Sequence, residues 1–382
     1  MNMLYFDNNA TTRVLPEVVE AMLPWFCEQY GNPSSSHPFG ENAKQALIKA
    51  RAVVAGFLNA SPGEIIFTSG ATESSHMAIL GALAIKPQRK RIVTSAVEHS
   101  ATLRLLTHLA TDGIEVVQVP VSASGTLDMA ALRAAVTEDT ALVTLMHANN
   151  ETGIIFPVAE AAAIAKAQGA LFHTDAAQTA GKITLDCKQL DCDLLSFSGH
   201  KLHAPKGTGV LFVRKGIALP PMFYGHQERN RRGGTENLAG IIGLATACRM
   251  AQEYLAQADK RRGALRDLLE AQLQERLPFI RINGSWPRVP NTSSICFAGL
   301  RGEELLHRLG QAGVMASQGS ACTAGGTEPS HVLLAMGLDR DEALSTVRFS
   351  LSRETTEADI DLAVITVTEI IKAMTGGLPA AA

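Results

Sequence analysis

The sequence predicts an α/β fold: a large domain with a mostly parallel seven-stranded sheet between helices, then a smaller α+β domain. Three observations carry this. Short apolar runs rich in β-branched residues alternate with helical segments from about Glu64 to Val213, the rhythm of βαβ units whose helices cover both faces of a sheet. A long helical stretch from "TENLAGIIGL" to "LQERL", with a basic interruption, then breaks that rhythm. From about Phe279 short strands and helices are mixed, as in an α+β unit.

Taken in order, Pro16–Tyr30 and Glu41–Leu58 carry helical patterns. "EIIFTS", "RIVTSA", "IEVVQVP", "TALVTLMH", "ALFHTD" and "DLLSFS" read as the parallel strands, and "VLFVR" as an adjacent antiparallel one. "ATESSHMAILGALA", "ATLRLLTHLA", "LDMAALRAAV" and "VAEAAAIAKAQG" are the helices between them. In the C-terminal part "FIRIN", "NTSSICFA", "VMAS" and "TVRFSLS" read as strands, and "GEELLHRLG", "PSHVLLAMG" and "EADIDLAVITVTEIIKAM" as helices. The expected division is an arm at 1–15, a large domain at 16–255 and a small domain at 256–382, with the N-terminal segment free to join the small domain. There are no internal repeats.

Composition narrows the function. Of 382 residues 46% are hydrophobic and 19% charged, as in an ordinary soluble protein. A net charge of −3 and 5% aromatics offer neither a nucleic-acid footprint nor a base-stacking platform. No apolar run is long enough to span a membrane, and "MNMLYFDNNATT" has no basic start, so a cytoplasmic protein is expected. Six cysteines form no disulfide framework. Cys187 and Cys192 lack a second ligand pair, so no metal site is expected within the chain.

In wound sheets of this kind, ligands bind beyond the carboxyl ends of the strands. After "IIFTS", Gly70, Ala71 and Thr72 open a helix, which suits an anion or simply a capped turn. After "RIVTSAV" comes Glu98-His99, where a lone histidine is commonly a cap. After "ALVTLMHA" come Asn149 and Asn150, turn formers that can also hold a carboxylate or phenolic oxygen. After "ALFHT" come Asp175 and Gln178, and an acid there needs a cationic partner. Ser198, Gly199, His200 and Lys201 close the series. A lysine for covalent attachment, an acid for a ring nitrogen and a nest for a phosphate together fit a pyridoxal-phosphate site.

Two further residues stand apart. In "ASQGSACTAGGTEPSHVL", Cys322 lies among Gly319, Ser320, Gly325 and Gly326, a setting that gives a thiol nothing to pack against. Arg348 shares a strand face with Ser350, while Val347, Phe349 and Leu351 point the other way. A solvated edge and a ligand-binding arginine fit that pattern equally.

Ten segments, among them "YFDNNATT", "FTSGATES", "NNETG", "HTDAAQ", "SFSGHK", "GHQERNRRGGTEN" and "GSACTAGGTEPSHVL", carry a resemblance over nearly the whole chain. The sequence resembles fold-type I pyridoxal-phosphate enzymes of the class-V aminotransferase group. Within it, the sequence is similar to the cysteine desulfurases of the nitrogen-fixation and iron–sulfur-cluster type. The resemblance implies pyridoxal 5'-phosphate as cofactor and L-cysteine as substrate. Lys201 would carry the cofactor, and Asp175 would pair with its ring nitrogen. Gln178 and Asn150 would bond the phenolic oxygen or the substrate carboxylate. His99 would stack on the ring and shuttle protons. Ala71, Thr72, Ser198 and His200 would bind the phosphate. Thr235 would reach the phosphate of a neighbouring subunit, which implies a homodimer. Arg348 would clamp the substrate carboxylate. Cys322 would take the sulfur as a persulfide and pass it to an iron–sulfur scaffold or another acceptor protein, with which it could transiently ligate a cluster. A selenocysteine lyase or an aminotransferase on the same fold, or a non-catalytic sulfur carrier, are the alternatives. The short C-terminus, without the tail of housekeeping members, favours the nitrogen-fixation-like branch.

Overall fold

The computed structural model describes residues 3–319 and 328–376, and of 256–259 the backbone alone. After a short strand β1 (Leu4–Tyr5), seven strands form the main sheet: β2 (Ile65–Thr68), β3 (Arg91–Ser95), β4 (Glu115–Val119), β5 (Thr140–Met146), β6 (Leu171–Asp175), β7 (Leu194–Ser198) and β8 (Gly209–Val213). Their order is β2-β8-β7-β6-β5-β3-β4. Only β8 runs antiparallel to its neighbours in this sheet. The expected sheet, including its one reversed strand, is therefore present.

Side-chain alternation sorts the strand residues onto two cores. Phe67, Val143, Phe172, Phe197 and Phe212 join one core with Leu47 and Phe57 of the helix Pro38–Phe57 and Leu244 of the helix Leu238–Arg276. On the other face, Ile66, Leu194 and Leu211 pack with Met77 and Ala78 of the helix Ala71–Ile85. Both faces are covered, which is why the central strands read as continuous apolar runs.

Local differences from the expected elements have simple causes. Pro16–Tyr30 is two short helices, Pro16–Met22 and Pro24–Cys27, because Pro24 has no N–H to continue the first. The next helix starts early, at Pro38, where His37 accepts a hydrogen bond from the Gly40 N–H and proline occupies the first turn. The expected basic interruption is not a break: Leu238–Arg276 is one helix of 39 residues, about 58 Å long.

That helix crosses the expected division at 255/256. Leu244 and Cys248 lie in the large core. Leu265, Leu269 and Leu273 lie in a second core, with Phe297, Leu305, Phe349 and Val364. Strands β9 (Arg281–Ile282), β10 (Thr292–Cys296) and β12 (Thr346–Ser350) form an antiparallel sheet in the order β12-β10-β9. Strand β1 pairs in parallel with β11 (Val314–Met315), so Leu4 and Phe6 of the arm belong to this second core. Among the described residues no helix is long and apolar enough to cross a membrane.

Candidate active site

Strands β2, β3, β5, β6 and β7 end on one edge of the sheet, and the residues that follow them line one cavity of about 510 Å³. That volume suits a small-molecule ligand. Ala71, Thr72, His99, Asn150, Asp175, Gln178, Ser198, His200 and Lys201 are all on its wall. Arg348 lines an adjoining cavity of about 230 Å³, which shares His99, Asn150, Gln178 and Lys201. Thr235 is exposed and lines neither cavity of its own chain. Cys322 lies outside the described residues.

One end of the cavity is made for an anion. The helix Ala71–Ile85 starts after Gly70 with no side-chain cap, so its first N–H groups and its dipole are left for a ligand. The first-turn acid is turned away: Glu73 accepts from the Ser69 N–H and from Arg232 Nε, each within 2.9 Å. Backbone packing holds the turn in place. A Cβ on Gly209 would lie 2.5 Å from Gly70 Cα, so only glycine at 209 lets β8 approach. His200 lies beside Ser198, and its Nδ1 is 3.2 Å from Thr11 Oγ1. Burial, helped by the Lys201 and Lys206 charges, lowers its pKa to about 4, so it stays neutral at pH 7.

The other end holds an acid and a lysine. Asp175 opens partly onto the cavity but is set deep in the protein, and burial raises its pKa. Its Oδ1 accepts from the Ala177 N–H at 2.9 Å, and among the described residues it forms no ion pair. The Lys201 and His99 charges act on it without pairing, and only partly offset its burial. Lys201, in the turn Gly199–Lys201 after β7, hydrogen-bonds through Nζ to the carbonyls of Asn9 and Ala10, the latter at 2.8 Å.

His99 is both a cap and a cavity residue. Its Nδ1 accepts from the Ala101 N–H at 3.2 Å at the start of the helix Ser100–Thr111. An accepting Nδ1 carries no hydrogen, so the ring is neutral and Nε2 is protonated. Burial lowers its pKa, against the opposing pull of Asp175.

Arg348 does not sit on a solvated edge. Bridges from Asp7 to Ser350 and from Ser317 to Arg348 cover β12, and the arginine is 2% exposed. Nη2 donates to Asp7 Oδ1 at 2.7 Å, and Nη1 donates to the carbonyls of Asn150 (2.9 Å) and Gly319 (3.0 Å). Among the described residues its buried Nε has no hydrogen-bond partner.

Sequence reasoning assigned no role to several neighbours. Asn9 joins the site to β10, donating to Thr292 Oγ1 at 2.8 Å; its run "NNATT" was visible, but a two-residue strand does not announce which strand the arm pairs with. Glu98 is buried beneath His99 and is pushed up to about 8 by that burial. Glu151 accepts from Ser330 Oγ at 2.5 Å and lines the cavity beside Gly319 and His331. Lys182 had no signal beyond its spacing, four residues after Gln178.

An unpaired carboxylate, a lysine and an uncapped helix start on one cavity wall fit pyridoxal phosphate: Asp175, Lys201 and the Ala71–Thr72 turn would hold it. Comparison with known proteins gives the family. The family model for class-V aminotransferases matches residues 4–363. The chain belongs to the class-V aminotransferase family. This family member is 48% identical over 371 residues to the cysteine desulfurase NifS of Azotobacter vinelandii, covering 96% of this chain and 92% of the relative. It is 50% identical over 365 residues to a cysteine desulfurase of Gluconacetobacter diazotrophicus, covering 94% and 91%. Among solved structures, a NifS-like protein superposes with a TM-score of 0.91 at 39% identity, covering 97% of this chain and 100% of the other. A structure described as SspA in complex with cysteine superposes at 0.81 with 34% identity, covering 91% and 98%.

Proposed function

We propose that the chain is a pyridoxal-phosphate-dependent cysteine desulfurase. It converts L-cysteine to L-alanine and leaves the sulfur as a persulfide on Cys322, for iron–sulfur cluster assembly. The observation that carries the reading is the convergence of Lys201, Asp175 and the uncapped Ala71–Ile85 helix start on one cavity. Relatives that carry the name cysteine desulfurase over nearly the whole chain support it.

Pyridoxal phosphate, when bound, supplies an electron-poor ring that takes up the electron pair left when the amino acid loses its Cα proton. The chain's own residues do the rest. Lys201 Nζ holds the cofactor, then receives that proton; the carbonyls of Asn9 and Ala10 accept hydrogen bonds from it once it is released. Asp175 would face the ring nitrogen and, as a carboxylate, would favour its protonated form. Neutral His99, with its hydrogen on Nε2, relays protons at the cavity wall. Arg348 turns toward the substrate carboxylate, and its Nε, without a partner among the described residues, is a donor for it. The Cys322 thiolate takes sulfur from L-cysteine, so that one thiol plus cysteine gives one persulfide plus alanine. An iron–sulfur scaffold or another sulfur-acceptor protein then removes it.

The active unit is a homodimer. Supporting this, Phe26 and Ile48 lie exposed on N-terminal helices, and Leu23 and Tyr30 lie exposed in the segments flanking Pro24–Cys27. Thr235, remote from its own cavity, is then free to serve the partner's phosphate site. A solution mass of one chain, about 40.6 kDa, would refute the dimer.

The deciding test is to incubate the purified protein with L-cysteine and measure alanine and protein-bound persulfide. Alanine and persulfide should appear in equal amounts in a single turnover without reductant. Cys322→Ala should keep the yellow cofactor and lose alanine production. Unchanged turnover in that variant would sink the role given to Cys322. Formation of an amino acid from added 2-oxo acid would favour an aminotransferase instead.

A further inference from the structure

Lys182 is buried, with 3% exposure, and among the described residues no carboxylate pairs with it. Its Nζ donates instead to Asn9 Oδ1 at 2.8 Å and to Gln178 Oε1 at 2.5 Å. Lys201 from the turn after β7, Arg262 from the long helix and Arg348 from β12 all act on it as like charges, and His203 feels its field in turn. Burial and these cations hold its pKa well below the lysine range. A buried lysine with no counter-ion is costly, so a side chain kept there has work to do.

The hydrogen bonds around it fix the orientation of two amides. A backbone carbonyl only accepts, so the Gln178 atom 3.1 Å from the Asn9 carbonyl is Nε2. The opposite end of that amide, against Lys182, is then the oxygen. Asn9 is fixed in the same way: Nδ2 faces the Asn150 carbonyl at 3.2 Å, while Oδ1 accepts from Lys182 and from Asn291. This holds whether Lys182 is charged or neutral, because its nitrogen has two hydrogens to give in either state. Gln178 lines both cavities, and Nε2 has a second hydrogen that Asn9 does not use.

We propose that Lys182 is a positioning residue: by holding the amide oxygens of Gln178 and Asn9, it keeps the Gln178 Nε2–H directed at an anionic oxygen of the bound cofactor. The inference rests on the pyridoxal-phosphate reading of the site. A hydrogen bond donated to an ionised oxygen favours the ionised form. Releasing Gln178 must therefore raise the pH at which the bound cofactor's visible absorption changes.

The test uses protein reconstituted with pyridoxal phosphate and titrated by absorbance from pH 6 to 10. Lys182→Met should remain folded by circular dichroism, bind the cofactor and show a midpoint raised by about one pH unit, the size of one charge-assisted hydrogen bond. Gln178→Ala should show a similar rise, and the double variant no further rise than Gln178→Ala alone. Lys182→Gln, which keeps an N–H donor without the charge, should stay near the wild-type midpoint; it decides the matter where Lys182→Met does not fold. A shift that persists in the Gln178→Ala background, or one as large in Lys182→Gln, assigns the effect to the charge itself and overturns the proposal. So does a lowered melting temperature with an unmoved midpoint. A wild-type protein without a visible band would overturn the cofactor reading and this inference with it; a normal wild-type band with unmoved variants overturns this inference alone.

Discussion

Glu98 shows how far burial alone changes a side chain at this site. Its Oε1 accepts from Ser95 Oγ at 2.6 Å and from the Met146 N–H at 2.9 Å, and among the described residues no cation pairs with it. Its folded pKa, about 8, lies above the ordinary carboxylate value. Between pH 4.5 and 8 the native state thus keeps a proton that the unfolded chain has lost. Stability contributed by Glu98 is full below that window and falls by about 1.4 kcal/mol per pH unit across it. Glu98→Gln, which keeps an acceptor for both donors, should melt higher than wild type at pH 8 and no higher at pH 4.5. Equal melting temperatures for the cofactor-free proteins at pH 8 would contradict this. Residues such as Asp175 and Lys201 were readable because a strand end in a parallel sheet is a privileged address. Lys182 and Glu151 were not: nothing in "AAQTAGK" or "NNETG" says that a charge will be enclosed, since the enclosing groups come from the arm and from the far end of the chain.

At the scale of elements, the contact between Gly209 of β8 and the Gly70 turn sets the anion end of the cavity. A Cβ at 209 would meet the Cα, C and N of Gly70 at 2.5–2.7 Å, all backbone atoms that cannot swing aside. Gly209→Ala should cost about 1–3 kcal/mol of stability. It should also narrow the preference for pyridoxal phosphate over unphosphorylated pyridoxal, measured by titrating the cofactor-free protein with each. A preference unchanged from wild type would show that the turn does not read the phosphate. The βαβ elements were legible because each strand and helix carries its own period. Strand β1 and the helices Cys187–Leu190 and Arg340–Leu344 were not, because two to five residues are too few to show one. The continuous Leu238–Arg276 helix ran against a local sign, since "ADKRRG" looks like a stop. It continues because a leucine repeat on its far side still finds a core.

For the whole molecule, that helix joins two hydrophobic cores, and the N-terminal arm joins them a second time. Phe6 is 1% exposed and meets Phe349 edge-on, with ring centroids 6.5 Å apart. Phe6→Ala should cost about 3–5 kcal/mol, as for other buried phenylalanines. Amide exchange should quicken in β12 and β10 before it quickens in β5 and β6; uniform quickening would argue for one indivisible unit. The change of pattern near Phe279 was legible, and it falls where the second core's short strands begin. That the arm could join the C-terminal part was legible too, but its strand partner was not, because Val314 lies about 310 residues from Leu4. That separation also gives the molecule an order of assembly. During synthesis the seven-stranded sheet can close once Val213 has emerged, yet Leu4 has no strand to join until Val314 does. Asn9, whose carbonyl receives Lys201 and whose side chain receives Lys182, travels on that waiting arm. The pocket is therefore finished by residues synthesised before the sheet that surrounds it, and a polypeptide truncated before β11 would carry a built sheet around an unfinished site.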